Sequence, residues 1–522
     1  MYTHIAEMLA RNARMYPDKV ALIERMPAEN KRWQITWKQF DEQANRFANV
    51  LMKKGVKKGS KVVHLMYNSI DWLIAYFGIV KIGAWVVPLN FRFTSEDIKY
   101  CLAVADADIL LFGDEFTERI DAIRDEISVK YYICAGSEIP VYADSFVKLL
   151  ERAPATAPIT KIDCDDPCGL YFSSGTTGQP KPILLTHGNM VCACITEKVH
   201  HNQTKEDNFI LIPPLYHTGA KMHWFGSLIV GSRAVILRGV NPKWILEAVS
   251  EEGGTIIWLL VPWAQDILLK LDRGELKIED YTLDQCRLMH MGAMPIPPSL
   301  IKRWREYFPY MDYDTTYGLS EASGPNCMHL GMENLFKVGS IGRPGFNWEA
   351  RIIGENGQDV SDGKTGELIV RGNGVMKEYY NNPEATADAL KDGWLHTGDI
   401  ARTDEDGFVY LVDRKKDVII TGGENVFPVE VEHFVYRHPC VKDAAAIGYP
   451  DERLGEIVAV VIELAPGKTL TQDKVLEYYK QLPRYKRPRK IFFGNIPRSP
   501  TGKIEKPKLR KKYIGREEAF KV

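Results

Sequence analysis

Tyr171–His187 reads YFSSGTTGQPKPILLTH. A short aromatic and apolar run leads into glycines, hydroxyl side chains and Lys181, and a helix start follows. Between a strand and a helix such a loop suits an anion, because glycines let backbone N–H groups approach phosphate oxygens. Ser173, Ser174, Thr176 and Thr177 add hydroxyl donors, Gly175 and Gly178 leave the backbone open, and Lys181 adds positive charge. The loop is not the P-loop G-x-x-x-x-G-K-[ST], since Pro180 stands where its second glycine must be. By itself the stretch is also an ordinary surface loop, so its surroundings must decide.

Outward from this loop, apolar runs alternate with amphipathic segments: KVVHLMY, ADILLF, CGLYF, NFILI, SRAVIL, TIIWLL and CRLMHM. Phe40, Ala44, Phe47 and Leu51 recur at helical spacing, and Gly55 follows as a C-cap. The alternation predicts an α/β fold with mainly parallel sheets flanked by helices. From about Gly366 the segments GELIVRG and GFVYLV predict a β-rich subdomain. The last hundred residues carry helix, strand, strand and helix patterns of their own, enough for a small α+β domain. We therefore expect an N-terminal domain over 1–416 and a C-terminal one over 417–522, with the boundary near Lys416.

The chain has 522 residues, more than one hydrophobic core usually fills. A formal net charge of −1 gives no general attraction to nucleic acid or an anionic membrane. The apolar stretch WLIAYFGIVKIGAWVV is interrupted by Lys81 and too short to span a bilayer. With no signal-peptide pattern, the chain reads as cytoplasmic. Nine cysteines, an odd number, fit a reducing compartment. Cys164 with Cys168 and Cys192 with Cys194 lack zinc-knuckle spacing and read as small buried residues. His200 and His201 read as surface residues, not ligands.

Two further motifs give the loop company. In TYGLSE, Tyr317 can stack on a base and Glu321 can hold a magnesium ion bridging phosphates. In HTGD, Asp399 sits in an expected turn, where a carboxylate can accept hydrogen bonds from two ribose hydroxyls. Each motif alone is compatible with a core tyrosine, a solvated glutamate or a turn aspartate. In order with YFSSGTTGQPK, PLYHTGA, GELIVRG, DRKKDVIITGGENV and PRSPTGKIEK, they make the chain resemble, from about residue 5 to 512, the acyl-adenylate-forming superfamily of AMP-forming acyl- and aryl-CoA synthetases.

The resemblance implies that residues 173–178 and Lys181 hold the β- and γ-phosphates of ATP. Thr176 and Glu321 resemble the metal and phosphate contacts, Tyr317 the adenine stacker, and Asp399 with Arg414 the ribose contacts. Gly292 and Ala293, in HMGAMP, join the nucleotide side. Lys503, in PTGK, is similar to the lysine that reaches the α-phosphate and the substrate carboxylate. A lysine acetyltransferase acting on Lys503 would then switch the enzyme off. Lys416 corresponds to the hinge about which the C-terminal domain reorients. Gly422 and Gly423 would line the thiol channel, and Tyr485, Lys486 and Arg487 would contact CoA phosphates. Pro182 departs from the family's glycine, which alters loop flexibility.

For the acid, Gly318 stands where short-chain members place a tryptophan that closes the pocket floor, so the pocket extends beyond acetate. His217 resembles a residue bordering the carboxylate. Trp263, Met291 and Met294 either shape the acyl pocket or pack the core. No aspartate in PLYHTGA serves an amino acid's ammonium group. The implied partners are a medium-sized monocarboxylic acid (medium-chain aliphatic, cyclic or aromatic), ATP with Mg2+, and CoA. A stand-alone enzyme loading an acyl carrier protein is the alternative, and a homo-oligomer stays open.

Overall fold

The computed structural model describes residues 4–173, 180–292, 296–329, 331–414, 416–421, 424–498 and 504–515. All seven apolar runs named above form strands, in two large sheets. One sheet has seven strands. In spatial order they are Asp312–Asp314, Leu288–Gly292, Ile256–Leu260, Asn208–Leu211, Arg233–Leu237, Val20–Met26 and Lys31–Thr36, all parallel but the last. The second has eight strands and is parallel from Pro167–Ser173 through Trp85–Pro88, Lys61–Leu65 and Ile109–Gly113 to its far edge.

Between the sheets lies the largest apolar cluster, built on helices Trp37–Lys53, Ile70–Lys81, His187–His200 and Thr218–Val230. Helix Ile70–Lys81 explains the longest greasy run. Ser69 caps it by accepting from the Trp72 N–H, and nearly every side chain is buried, as expected for a helix that is apolar all round. Gly78 is required there, because an added Cβ would lie 2.8 Å from a Phe47 ring carbon. Its one buried cation, Lys81, is paired with Asp41 at 2.7 Å. Among the described residues no helix is long and apolar enough to cross a membrane.

A five-stranded antiparallel sheet containing Gly366–Gly372, Trp394–Thr403 and Val409–Arg414 forms the β-rich part. Beyond it, a smaller C-terminal domain has its own five-stranded sheet, and helices Pro428–Val435 and Lys506–Ile514 pack against it. The molecule is thus a large α/β domain of mixed sheets followed by a small α+β domain.

Three local expectations need correction. The phosphate-type loop does not join a strand to a helix; it joins the antiparallel strands Pro167–Ser173 and Lys181–Thr186, and the helix begins at His187. HTGD is not a turn but lies within the strand Trp394–Thr403, where Gly398 takes a left-handed φ of 69°. His200 and His201 are not on the surface: their side chains are 1% and 0% exposed. The helix that carries them packs between the sheets, and its last turn meets the strands Leu288–Gly292 and Asp312–Asp314 through hydrogen bonds. Of the four cysteines weighed as ligands, Cys168, Cys192 and Cys194 are buried, while Cys164 is exposed. Burial pushes the Cys168 and Cys192 thiols up to about 12 and about 11, which disfavours thiolates there.

Candidate active site

The two strands flanking the loop bring its ends together, with Ser173 opposite Lys181 in register. Residues 174–179, which include Ser174, Gly175, Thr176, Thr177 and Gly178, lie outside the described residues. The Lys181 ammonium sits 5.4 Å from the centre of the Tyr379 ring, within cation–π range. Tyr379 belongs to a short strand that pairs with Lys181–Thr186, and its hydroxyl donates to Glu321 Oε1 at 2.9 Å. Burial, with Glu321 beside it, raises the pKa of Tyr379 and keeps the hydroxyl a donor. The Glu321 carbonyl also accepts from the Met376 N–H at 2.7 Å, so both ends of this residue are fixed. A cation, an aromatic ring and a carboxylate thus meet at the mouth of the loop.

A second group forms across the β-rich sheet. Asp399 stands opposite Arg414 in the register of two antiparallel strands, and Arg414 Nε lies 2.9 Å from Asp399 Oδ1. The other oxygen, Oδ2, accepts from the Tyr317 hydroxyl at 2.5 Å. Asp399 is 4% exposed, so these two partners replace the hydrogen bonds that water would otherwise supply. The Asp399 carboxylate, in turn, raises the pKa of Arg414. Tyr317 is pushed well above its ordinary value by burial and then by Asp399, and it remains a neutral hydrogen-bond donor. TYGLSE and HTGD, far apart in sequence, therefore form one constellation.

The helix Thr218–Val230 begins at His217, which is half-buried with its ring 4.3 Å from that of Tyr216. Thr218 Oγ1 donates to Ser320 Oγ at 3.2 Å, tying this helix start to the turn that carries Glu321. Nearby, two glycines face one indole: an added Cβ at Gly219 would lie 3.6 Å from Trp258 Cη2, and one at Gly292 would lie 3.7 Å from Trp258 Nε1 and 3.5 Å from His290 Nε2. Met291 alternates to the other face of its strand, fully buried with Met289, Ala264 and Trp304. Of its two expected readings, its surroundings are those of core packing. Trp263 is half-buried against that same cluster. Gly318 is exposed, but its added Cβ would meet the Gly324 carbonyl oxygen at 2.2 Å. Close approach of the hairpin backbones therefore demands glycine there, independent of pocket depth. Ala293 and Met294 lie outside the described residues.

Residues 9–380 match the model of the AMP-binding enzyme family, and residues 430–503 match that of the AMP-binding enzyme C-terminal domain. The chain is an AMP-binding enzyme of the acyl-adenylate-forming superfamily. A feruloyl-CoA synthase of Amycolatopsis is 32% identical over 507 residues, covering 96% of this chain and 98% of that protein. A long-chain-fatty-acid–CoA ligase of Mycobacterium tuberculosis is 31% identical over 512 residues, 98% of each. The solved structure of an anthranilate CoA ligase in complex with anthranoyl-AMP resembles it with a TM-score of 0.87 at 26% identity, over 98% of this chain and 97% of that one. This AMP-binding enzyme is an AMP-forming acid–thiol ligase that uses ATP with Mg2+ and CoA.

Its carboxylates suit these ligands. Glu321 offers oxygen donors of the kind Mg2+ prefers, in an orientation set by Tyr379. Asp399 is an acceptor-only group beside a fixed guanidinium, as a ribose diol requires. At the expected hinge, burial pushes the Lys416 ammonium down to about 8, with Arg414 and Arg510 adding to the effect. The next residue, Asp417, is paired with Arg510 at 2.5 Å. Lys486, expected at a CoA phosphate, is paired here with Glu430 at 2.6 Å, so a phosphate would have to displace that carboxylate. Gly422, Gly423 and Lys503 lie outside the described residues. Sequence reasoning missed Tyr379 and Trp258. The adjacent tyrosines of KEYY carry no signal pointing to Glu321, and Trp258 sits in a run that reads only as a buried strand.

Proposed function

We propose that this AMP-binding enzyme activates a medium-sized monocarboxylic acid, medium-chain aliphatic, cyclic or aromatic, and transfers the acyl group to CoA. In the first step a carboxylate oxygen attacks the α-phosphorus of ATP and expels pyrophosphate, giving an acyl-adenylate. In the second the CoA thiol attacks the acyl carbon and expels AMP. Two anions must approach in the first step, so the placement of cations governs its rate. Lys181 at the loop and Lys503 from the C-terminal domain are the cations for that step. Thr176 and Glu321 would hold Mg2+, and the chemistry it would supply is neutralisation of phosphate charge. Asp399, Arg414 and Tyr317 fix the nucleoside. Reorientation of residues 417–522 about Lys416 then withdraws Lys503 and brings Gly422 and Gly423 to the thiol.

The observation that carries the choice of acid is the ring wall beside Gly292. The rings of Trp258, His223 and His290 pack with centroids 4.2–5.8 Å apart. Such a wall bounds the depth available to an acyl group, while Gly219 and Gly292 place no side chain between it and a ring or short chain. The relatives that act on ferulate and anthranilate support a cyclic or aromatic acid.

The test measures AMP and acyl-CoA formation with acetate, butyrate, hexanoate, octanoate, palmitate, benzoate, cyclohexanecarboxylate and a cinnamate. A maximum in kcat/KM at one cyclic, aromatic or medium-chain acid is expected. A maximum at acetate or palmitate would overturn the size assignment. AMP release without acyl-CoA would move the acceptor to a carrier protein, which the mass of the product with a phosphopantetheinyl carrier would identify.

A further inference from the structure

Behind that ring wall six ionisable side chains meet away from solvent. Glu197, His200 and His201 come from the end of one helix and His223 from its neighbour, while His290 and Asp314 come from adjacent parallel strands. Their side chains are at most 4% exposed where measured in ion pairs, and His201, Glu197 and His290 are at 0%. Asp314 Oδ2 lies 3.0 Å from His201 Nε2 and 3.0 Å from His290 Nδ1, and those two nitrogens are 3.3 Å apart. His223 offers a nitrogen within 4.8 Å of ligand atoms on both His201 and His290.

Ligands of a tetrahedral zinc ion with bonds of about 2.0–2.1 Å are separated by about 3.3 Å, close to the spacings among His201, His290 and Asp314. The remaining ring nitrogens have polar neighbours. His201 Nδ1 is 3.1 Å from Glu197 Oε2 and His223 Nδ1 is 2.9 Å from Glu197 Oε1, close enough for one carboxylate to sit beside two rings although neither contact is aligned as a hydrogen bond. His290 Nε2 is 3.4 Å from Thr316 Oγ1. His200 Nε2 supports the acid from behind, donating to Asp314 Oδ2 at 2.6 Å.

We propose that His201, His223, His290 and Asp314 bind a divalent transition metal ion of the zinc class, with Glu197 and His200 beside the ligands. The ion is structural. It ties together the helix that follows the phosphate-loop hairpin, the helix that begins at His217, the strand that ends at Gly292 and the strand that leads into Thr316 and Tyr317. It is separate from the Mg2+ that accompanies ATP, whose expected ligands are Thr176 and Glu321.

The experiment measures metal content by mass spectrometry on the full chain purified without chelator, then after treatment with a strong chelator. The metal-free protein is titrated with Co2+ and followed by visible ligand-field absorption. About one tightly held zinc per chain is expected for a closed site of this kind, or else stoichiometric Co2+ uptake with an intense tetrahedral spectrum. Chelation should lower Tm. His223→Asn and His290→Asn should abolish uptake, whereas Glu321→Gln should leave it intact. Should those variants fail to fold, X-ray absorption at the metal edge of the wild type must show imidazole scattering. A wild type that is folded, metal-free and unable to take up Zn2+ or Co2+ would overturn the proposal. So would uptake unchanged in the folded histidine variants, or an edge spectrum without imidazole.

Discussion

Asp399 sits in a nearly dry position, where Tyr317 donates to one of its oxygens and Arg414 pairs with the other. Asp399→Asn keeps the shape but puts an amide donor where an acceptor is needed. Its kcat/KM for ATP should fall about 10–100-fold, the 1.5–3 kcal/mol of a hydrogen bond to a charged group. An unchanged ATP dependence at saturating acid would remove Asp399 from the nucleotide site. Tyr379 acts one step further out, through Glu321. Tyr379→Phe deletes one donor to a carboxylate, worth about 1.5–3 kcal/mol, so the Mg2+ concentration for half-maximal rate should rise by up to about 10–100-fold with little change in kcat. A Mg2+ titration that superimposes on the wild type would detach Tyr379 from that function. Tyr317, Glu321, Asp399 and Arg414 were legible because their motifs stand in a recognisable order. Tyr379 was not, because its meaning comes from a strand pairing distant in sequence.

At the level of elements, the hairpin Thr316–Leu319 with Gly324–Met328 shows how one position can carry two explanations. The sequence suggests that Gly318 leaves the acyl pocket open, whereas the structure shows that a Cβ there would press on the Gly324 backbone at 2.2 and 2.7 Å. Backbone cannot swing away as a side chain can. Gly318→Ala should therefore destabilise the protein by about 1–3 kcal/mol, the range for overpacking, and lower the rate with every acid alike. A variant as stable as the wild type whose preference shifts to acetate would restore the pocket-floor explanation. The same physics shows what sequence patterning resolves. Runs such as SRAVIL and TIIWLL declare buried parallel strands by length and composition. KPILLT runs without a turn into Thr186, whose side chain accepts from the Asn189 N–H, so strand and helix start merge into one signal. In HTGD, one left-handed glycine inside a strand imitates a turn.

Across the whole molecule, Glu24 joins the two large layers. It lies in the seven-stranded sheet and its Oε2 accepts from the Ile70 N–H, at the start of a helix between the sheets, at 2.7 Å. Burial raises its pKa from 4.5 to about 8, only partly offset by that hydrogen bond and by Arg238. The folded chain thus holds a proton that the unfolded chain releases near 4.5. This stabilisation is fully present below that pH and is lost as pH rises through about 8. Glu24→Gln should consequently gain stability relative to the wild type as pH increases across this window, by a few kcal/mol at the alkaline end. Denaturant unfolding at a series of pH values checks this, and a pH-independent difference would contradict it. Neither Glu24 nor the buried histidines announced themselves in the sequence. Composition places charged and polar residues outside, and only the packing of distant layers shows which are enclosed. In the proposed reaction the acid is activated as an acyl-adenylate before any thiol enters. This order is tested most directly by following labelled pyrophosphate into ATP with acid and Mg2+ present and CoA absent. Acid-dependent exchange without CoA is expected, with AMP as the nucleotide product once CoA is added. Exchange that requires CoA, or formation of ADP, would contradict it.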